Sequence, residues 1–126
     1  MLPITSLFAA GLAILLLALT FLVSQQRGVA KVSIGDGGDP TLLRRIRAFG
    51  NFSEYAPIGL LLLALVEYVG TPATIVWALG VLLFGGRILH ALGMYIKSLG
   101  FGRLVGMLLN YLFFLVSAIT LFMNAI

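Results

Sequence analysis

The chain has 126 residues, of which 61% are hydrophobic and 10% are charged, and its formal net charge is +4. This apolar share lies far above that of a soluble globular domain and indicates a membrane protein, expected to form one domain over residues 1–126. The chain has no cysteine, which excludes disulfides, thiolate metal sites and a cysteine nucleophile. Any thiol chemistry must therefore use a thiol that a substrate brings.

Four apolar segments approach the roughly 20 residues that a helix needs to cross a bilayer core of about 30 Å. They are residues 2–24, 50–69, 74–96 and 104–126. The sequence therefore predicts an all-α integral membrane protein, a bundle of four transmembrane helices. Four short helices enclose little space alone, so a homo-oligomer surrounded by membrane lipids is expected.

The first segment carries no charge and has no basic residues before it, so it is interpreted as a helix and not as a signal peptide. Arg27 is the first charge after this helix. Its simplest role is an anchor at the membrane interface, and a share in a functional site is the alternative.

A turn-forming loop precedes the second helix, which is predicted over residues 40–69. Asp39 is expected to be its N-cap and Pro40 its first residue. A helix of this length exceeds the bilayer core, so its first turns should stand in the headgroup region. Pro57 cannot donate a hydrogen bond to the Ser53 carbonyl, which predicts a kink or a free acceptor there.

A polar stripe runs along one face of this second helix. At 100° per residue, the side chains that share the face are Arg44, Arg47, Asn51 and Glu54. A carboxylate at the depth of Glu54 costs about 2.5–3.5 kcal/mol unless it meets a partner, water or protein. The stripe is therefore a site or the scaffold of one.

An ion pair between the second and third helices follows from counting residues away from the turn at Thr71. Glu54 lies 17 residues before Thr71 and Arg87 lies 16 after it, so they share a depth. We predict that they pair, within one protomer or across a subunit interface, with a structural role favoured over a catalytic one. His90 reaches the depth of Asn51, and no metal site is expected around it.

The basic residues flank the first and third loops and leave the second loop without any. They are Arg27, Lys31, Arg44, Arg45 and Arg47 around the first loop, and Lys97 and Arg103 around the third. The positive-inside rule then makes both loops cytoplasmic and puts both termini outside. This explains the net charge better than a nucleic-acid partner does. Arg103, where the fourth helix re-enters the membrane, is equally well interpreted as an anchor or as a functional residue.

Small and polar residues predict close contact between the third and fourth helices. Gly102 and Gly106 have GxxxG spacing, and Gly86 and Gly93 are seven residues apart. Asn110 and Tyr111, inside the fourth helix, are each expected to form a hydrogen bond to another helix.

Several motifs resemble the MAPEG family (membrane-associated proteins in eicosanoid and glutathione metabolism), from Arg27 to the fourth helix. They are Arg47-x3-Asn51-x2-Glu54-Tyr55-x-Pro57, Gly86-Arg87-x2-His90 and, further on, Arg103; the loop Gly35-Asp36-Gly37-Gly38 resembles the small bacterial branch. The resemblance implies a homotrimer of four-helix protomers in a bacterial inner membrane. It also implies a glutathione site between neighbouring subunits, open to the cytoplasmic face.

The resemblance also assigns roles to individual residues. Arg103 would lie beside the sulfur as the catalytic residue and favour the thiolate. Met94 or Tyr95 would be the counterpart of a family tyrosine, and Arg87 would pair with Glu54. The residues implied in glutathione binding are Arg27, Arg47, Asn51, Glu54, Tyr55, His90 and Tyr95. In some members of the family the counterpart of Arg27 comes from a neighbouring subunit.

The leading hypothesis is a glutathione-dependent membrane transferase or peroxidase that acts on hydrophobic electrophiles or lipid peroxides. The alternative is a non-catalytic membrane protein of the same fold that binds lipids or small amphiphiles. A third reading, an ion or proton pathway through Glu54, Arg87 and His90, has few polar positions to support it.

Overall fold

The computed structural model describes residues 1–96 and 99–126, and these residues form four α-helices without any strand. The helices are α1 (Pro3–Ala30), α2 (Pro40–Tyr68), α3 (Ala73–Tyr95) and α4 (Gly100–Ala125). Each of the four is long and apolar enough to cross a membrane. The predicted all-α membrane bundle is confirmed, with α1 extending beyond its predicted end. Lys97, which we counted with the cations of the third loop, lies outside the described residues.

Consecutive helices are antiparallel, with α2 and α3 at the centre. Both central helices pack against each of the others, whereas α1 and α4 do not pack together in the described part of the chain. The start of α1 lies at the end of α2, where Glu67 contacts the backbone of Thr5. At the other end of the bundle, the Arg45 guanidinium lies over the Tyr95 ring. The α1–α2 loop therefore lies at the same end of the bundle as the end of α3 and the start of α4, here called the basic end.

The α3–α4 pair is the most extensive contact of the bundle, because glycines bring the two backbones together. A Cβ built on Gly106 would lie 2.5 Å from the Gly86 carbonyl oxygen and 2.6 Å from the His90 nitrogen. Asn110 Nδ2 donates to the carbonyls of Leu82 and Leu83 at 3.1 and 3.3 Å. The predicted close packing and the hydrogen bond predicted for Asn110 are confirmed, whereas Tyr111 is exposed and the bond predicted for it stays a prediction.

Asp39 is the N-cap of α2, as the sequence predicts. Its Oδ1 accepts hydrogen bonds from the backbone N–H groups of Thr41 at 2.7 Å and Leu42 at 3.0 Å. Its Oδ2 accepts one from Gln26 Nε2 at 3.0 Å, which ties the end of α1 to the start of α2. The Gln26 hydrogen bond, followed by the backbone bonds, holds the pKa of Asp39 below its ordinary value of 3.8.

Acid should weaken this cap. Because the folded-state pKa of Asp39 is depressed, the stabilisation is fully present above the unfolded-state pKa and is lost as pH falls through the folded-state pKa. Asp39→Asn can still cap the helix but does not titrate. We expect the two proteins to have similar melting temperatures at about pH 7. Below about pH 4 the melting temperature of the wild type should fall by more than that of Asp39→Asn. The measurement is thermal unfolding in detergent at each pH. An equal fall in melting temperature for both proteins would contradict this expectation.

Glu67 supplies a cap that sequence reasoning missed. The Leu2 side chain gives α1 no cap, and Glu67 of α2 takes its place. Its Oε1 accepts from the Ile4 N–H at 3.0 Å and its Oε2 from the Thr5 N–H at 2.7 Å. These are two of the backbone donors that every helix start leaves unsatisfied, and a negative charge at this end also suits the helix dipole.

Replacing Glu67 by Ala should therefore lower the free energy of unfolding by about 1–2 kcal/mol, the usual size of an N-cap deletion. Glu67→Gln keeps an acceptor oxygen and should lose less. Thermal unfolding in detergent would measure the difference, with the exposed Tyr68→Phe variant as a neighbouring control. Equal stabilities of the Ala and Gln variants would show that the carboxylate does not act as a cap.

Candidate functional site

The polar stripe of α2 lies mostly on the outside of the protomer. Arg44, Arg47 and Glu54 are exposed, and Asn51 is half-buried on the side that faces α3. The helix continues without interruption through Pro57, so the stripe keeps its helical register. The predicted alignment of these side chains on one helix is thus present, with Asn51 as its half-buried member.

Arg87 is the centre of the buried part of the site. Only 1% of it is exposed, and its NH1 donates to Asn51 Oδ1 at 2.7 Å. Its NH2 lies 3.6 Å from Met107 Sδ, and its guanidinium carbon lies 4.9 Å from the centroid of the Tyr55 ring. Cationic hydrogen bonding and a cation–π contact therefore join α2, α3 and α4 at this point.

The expected pair between Glu54 and Arg87 is not formed inside the protomer. Arg87 donates to Asn51 instead, and Glu54 is exposed. The reason is angular: Asn51 and Tyr55 are one turn apart and face α3, whereas Glu54 points about 60° to 100° away from them around the helix. A pair across a subunit interface, the other form of the expectation, stays a prediction.

A cavity at the basic end brings two cations together. It has a volume of about 340 Å³ and is lined by Arg44, Gly93, Met94, Gly100 and Arg103. Arg103 comes from the first turn of α4 and Arg44 from the second turn of α2. Both side chains are exposed, and among the described residues neither has a carboxylate partner. The cavity is therefore suited to an anion.

The two tyrosines named from the sequence have different surroundings. Tyr55 is half-buried between the Arg87 guanidinium and the Phe114 ring, whose centroid is 5.9 Å away. Tyr95 instead packs on the hydrophobic core, with its ring 5.9 Å from the Arg45 guanidinium. Its hydroxyl is buried and has no hydrogen-bond partner among residues 1–96 and 99–126. Met94, the other possible counterpart of the family tyrosine, is the one that lines the cavity.

The two remaining residues, Arg27 and His90, make contacts of their own. Arg27 NH1 donates to the Gly35 carbonyl at 2.8 Å, so the guanidinium is held by its own loop. His90 is only 6% exposed, and its backbone packs against Gly106.

The structure thus joins the candidate residues in two groups. Asn51, Tyr55 and Arg87 are in contact, and Arg103 shares a cavity with Arg44. Arg44 was already on the sequence-predicted stripe, so helical periodicity is the signal that could have assigned it to the site. The Met107 contact with Arg87 gave no signal in the sequence.

A second cavity, here called the α1–α2 groove, is apolar. It has a volume of about 320 Å³ and is lined by α1 side chains such as Leu12 and Leu16 and by α2 residues such as Phe52, Pro57 and Leu60. Polar contacts hold α1 against α2 near both of its ends, through Glu67 and Arg45, and the groove lies between them.

The four spans and the site between them define a class, the multi-pass α-helical membrane proteins that carry a cationic cavity at one membrane face. The model of the MAPEG family matches residues 5–123, and the chain belongs to that family. It is 35% identical over 92 residues to the inner membrane protein YecN of Escherichia coli K12. The aligned segment covers 73% of this chain and 70% of that protein. The protein of the same name from Escherichia coli O6:H1 matches to the same extent. No solved structure matches the chain significantly.

Proposed function

We propose that this protein is a glutathione-dependent membrane transferase or peroxidase that acts on hydrophobic electrophiles or lipid peroxides. The observation that carries the proposal is the cavity in which Arg103 and Arg44 meet without a carboxylate. Membership of the MAPEG family supports glutathione as the co-substrate. The chain has no cysteine of its own, so the nucleophilic sulfur must come from the ligand.

The residues present fit such a ligand. A tripeptide with two carboxylates and one ammonium group needs several cations and at least one carboxylate at a membrane edge. The α2 stripe offers Arg47, Asn51 and Glu54, with Tyr55 beside them. Glutathione supplies a thiol that can add to an electrophilic carbon or reduce a peroxide. Arg103 favours the thiolate by lowering the thiol pKa, because a nearby cation stabilises the negative sulfur.

The proposed assembly is a homotrimer, as the family resemblance implies, and Glu54 gives a physical reason for an oligomer. An exposed carboxylate inside the bilayer core costs about 2.5–3.5 kcal/mol, which a neighbouring subunit would remove. The single domain of residues 1–126 would then bind its ligand between subunits. We further propose an inner-membrane location, in line with the names of the relatives, with loops 1 and 3 cytoplasmic and both termini outside.

The test is glutathione binding by the purified protein in detergent or nanodiscs. We expect millimolar glutathione to raise the melting temperature and the protein to conjugate a chloronitrobenzene. S-methylglutathione, which keeps the tripeptide but not the thiol, should stabilise the protein without reacting. The proposal fails if glutathione neither stabilises the protein nor reacts.

The α1–α2 groove favours a second candidate function, a non-catalytic protein that binds lipids or small amphiphiles. The groove is apolar and lies in the middle of the spans, where acyl chains are the solvent. A defined lipid that co-purifies in stoichiometric amount, together with an Arg103→Ala variant that keeps all properties of the wild type, would favour this function over catalysis.

A further inference from the structure

The hydrogen bond between Arg87 and Asn51 fixes the direction of the Asn51 amide. An asparagine amide has an acceptor oxygen on one side and two N–H donors on the other, whereas a guanidinium has donors only. The oxygen of Asn51 must therefore face Arg87, as it does at 2.7 Å. Its Nδ2 group then points away from Arg87.

The position of Arg87 leaves this arrangement little freedom. Its side chain is 1% exposed and is held by Met107 of α4 and by the ring of Tyr55. The neighbouring Gly86 packs directly against α4, where Asn110 bonds to the α3 backbone. Arg87 thus sits at a fixed point of the bundle and can impose one orientation on Asn51.

Asn51 is the half-buried member of the polar stripe of α2. Arg47 and Glu54, two of its exposed members, lie one turn before and one turn after Asn51. Because the Asn51 oxygen is turned towards Arg87, the outer edge of the amide presents its N–H donors to a bound molecule. This edge favours a ligand that has a carbonyl or carboxylate oxygen at this level.

We propose that Arg87 is a positioning residue that orients Asn51 as a hydrogen-bond donor, so that the stripe selects ligands with an acceptor oxygen at that position. In this role Arg87 acts through Asn51 and through the Tyr55 ring and need not touch the ligand. The inference rests on the proposed function for the identity of the ligand, glutathione, whose carboxylates and amide carbonyls are such acceptors.

Asn51→Asp is the sharpest test. The carboxylate keeps an oxygen towards Arg87 and adds an ion pair, but it replaces the N–H donors with a second acceptor. We expect the melting temperature to stay equal or rise while the affinity for glutathione falls at least about tenfold. Asn51→Leu, which removes both sides of the amide, should lose stability as well as affinity.

Substitutions of Arg87 give the complementary test. Arg87→Lys has donors only, so it should hold Asn51 in the same orientation and keep the affinity within about threefold of the wild type. Arg87→Gln can donate or accept, which lets the amide turn over, and should lose about tenfold in affinity. Both affinities are measured by glutathione-dependent thermal stabilisation, which does not require turnover.

The outcomes separate the inference from the proposed function. If glutathione does not stabilise the wild type, the proposed function fails. The melting temperatures of Asn51→Asp and Asn51→Leu without ligand still decide the orientation of Asn51. A loss of stability in Asn51→Asp as large as that in Asn51→Leu would overturn the inference. So would an Asn51→Asp variant that binds glutathione as tightly as the wild type, or Lys and Gln variants at position 87 that bind equally well.

Discussion

Replacing Arg103 by Gln should lower kcat/KM for glutathione conjugation by about 10²-fold, the usual loss when a group that stabilises developing negative charge is removed. The guanidinium lines the cavity with Arg44 and is free of a carboxylate partner among the described residues, so its full charge is available to the sulfur. Without it the bound thiol ionises at higher pH. The rate should therefore recover partly in alkaline buffer, while glutathione binding changes less than turnover does.

Two further variants sharpen this experiment. Arg103→Lys keeps a cation and should restore part of the rate. Lys31→Asn removes a cation from the same end of the bundle, at a residue whose φ of 55° asparagine also tolerates, and should leave the rate unchanged. A pH–rate profile for Arg103→Gln that superimposes on that of the wild type would rule out a role in thiolate formation.

Replacing Gly106 by Ala should lower the free energy of unfolding by about 3 kcal/mol, because the new methyl group meets backbone that cannot rotate away. It would lie 2.5 Å from the Gly86 carbonyl oxygen and 2.6 Å from the His90 nitrogen. The helices α3 and α4 would have to separate, and the cavity that holds Arg103 would change shape with them. Activity should therefore fall together with stability.

Gly85→Ala is the matched control, since Gly85 is next to Gly86 in α3 and a Cβ there meets nothing within 4 Å. Alanine is the better helix former by about 0.8–1 kcal/mol, so this variant should be as stable as the wild type or more so. Denaturation in mixed detergent micelles would compare the two variants, with size-exclusion chromatography to check assembly. Equal stability of Gly106→Ala and Gly85→Ala would show that α3 and α4 are not in backbone contact.

Local signals in the sequence were sufficient for the four helices and for the start of α2. The apolar runs gave four spans within a few residues, and Asp39 and Pro40 marked the start of α2 because capping depends on neighbouring residues only. The glycine spacings of α3 and α4 predicted their contact for the same reason: small residues one or two turns apart form a flat strip on one helix face.

The partner of Arg87 could not be obtained in this way. Counting from the turn gives the depth of a residue in the membrane but not the direction in which its side chain points. Depth alone therefore matched Arg87 with Glu54. The rotation of α3 against α2 instead brings the Arg87 guanidinium to Asn51. The same rotation turned Met94 towards the cavity and Tyr95 towards the core.

The sequence by itself thus determined that the chain spans the membrane four times and that α2 carries a polar stripe, because hydropathy and helical periodicity are properties of single segments. Only the tertiary structure decided which stripe residues face α3, that Glu67 caps α1, and that Arg44 joins Arg103 in one cavity. Those contacts depend on the angles at which the helices pack. These angles are set jointly by residues far apart in the chain, such as Gly86 and Gly106.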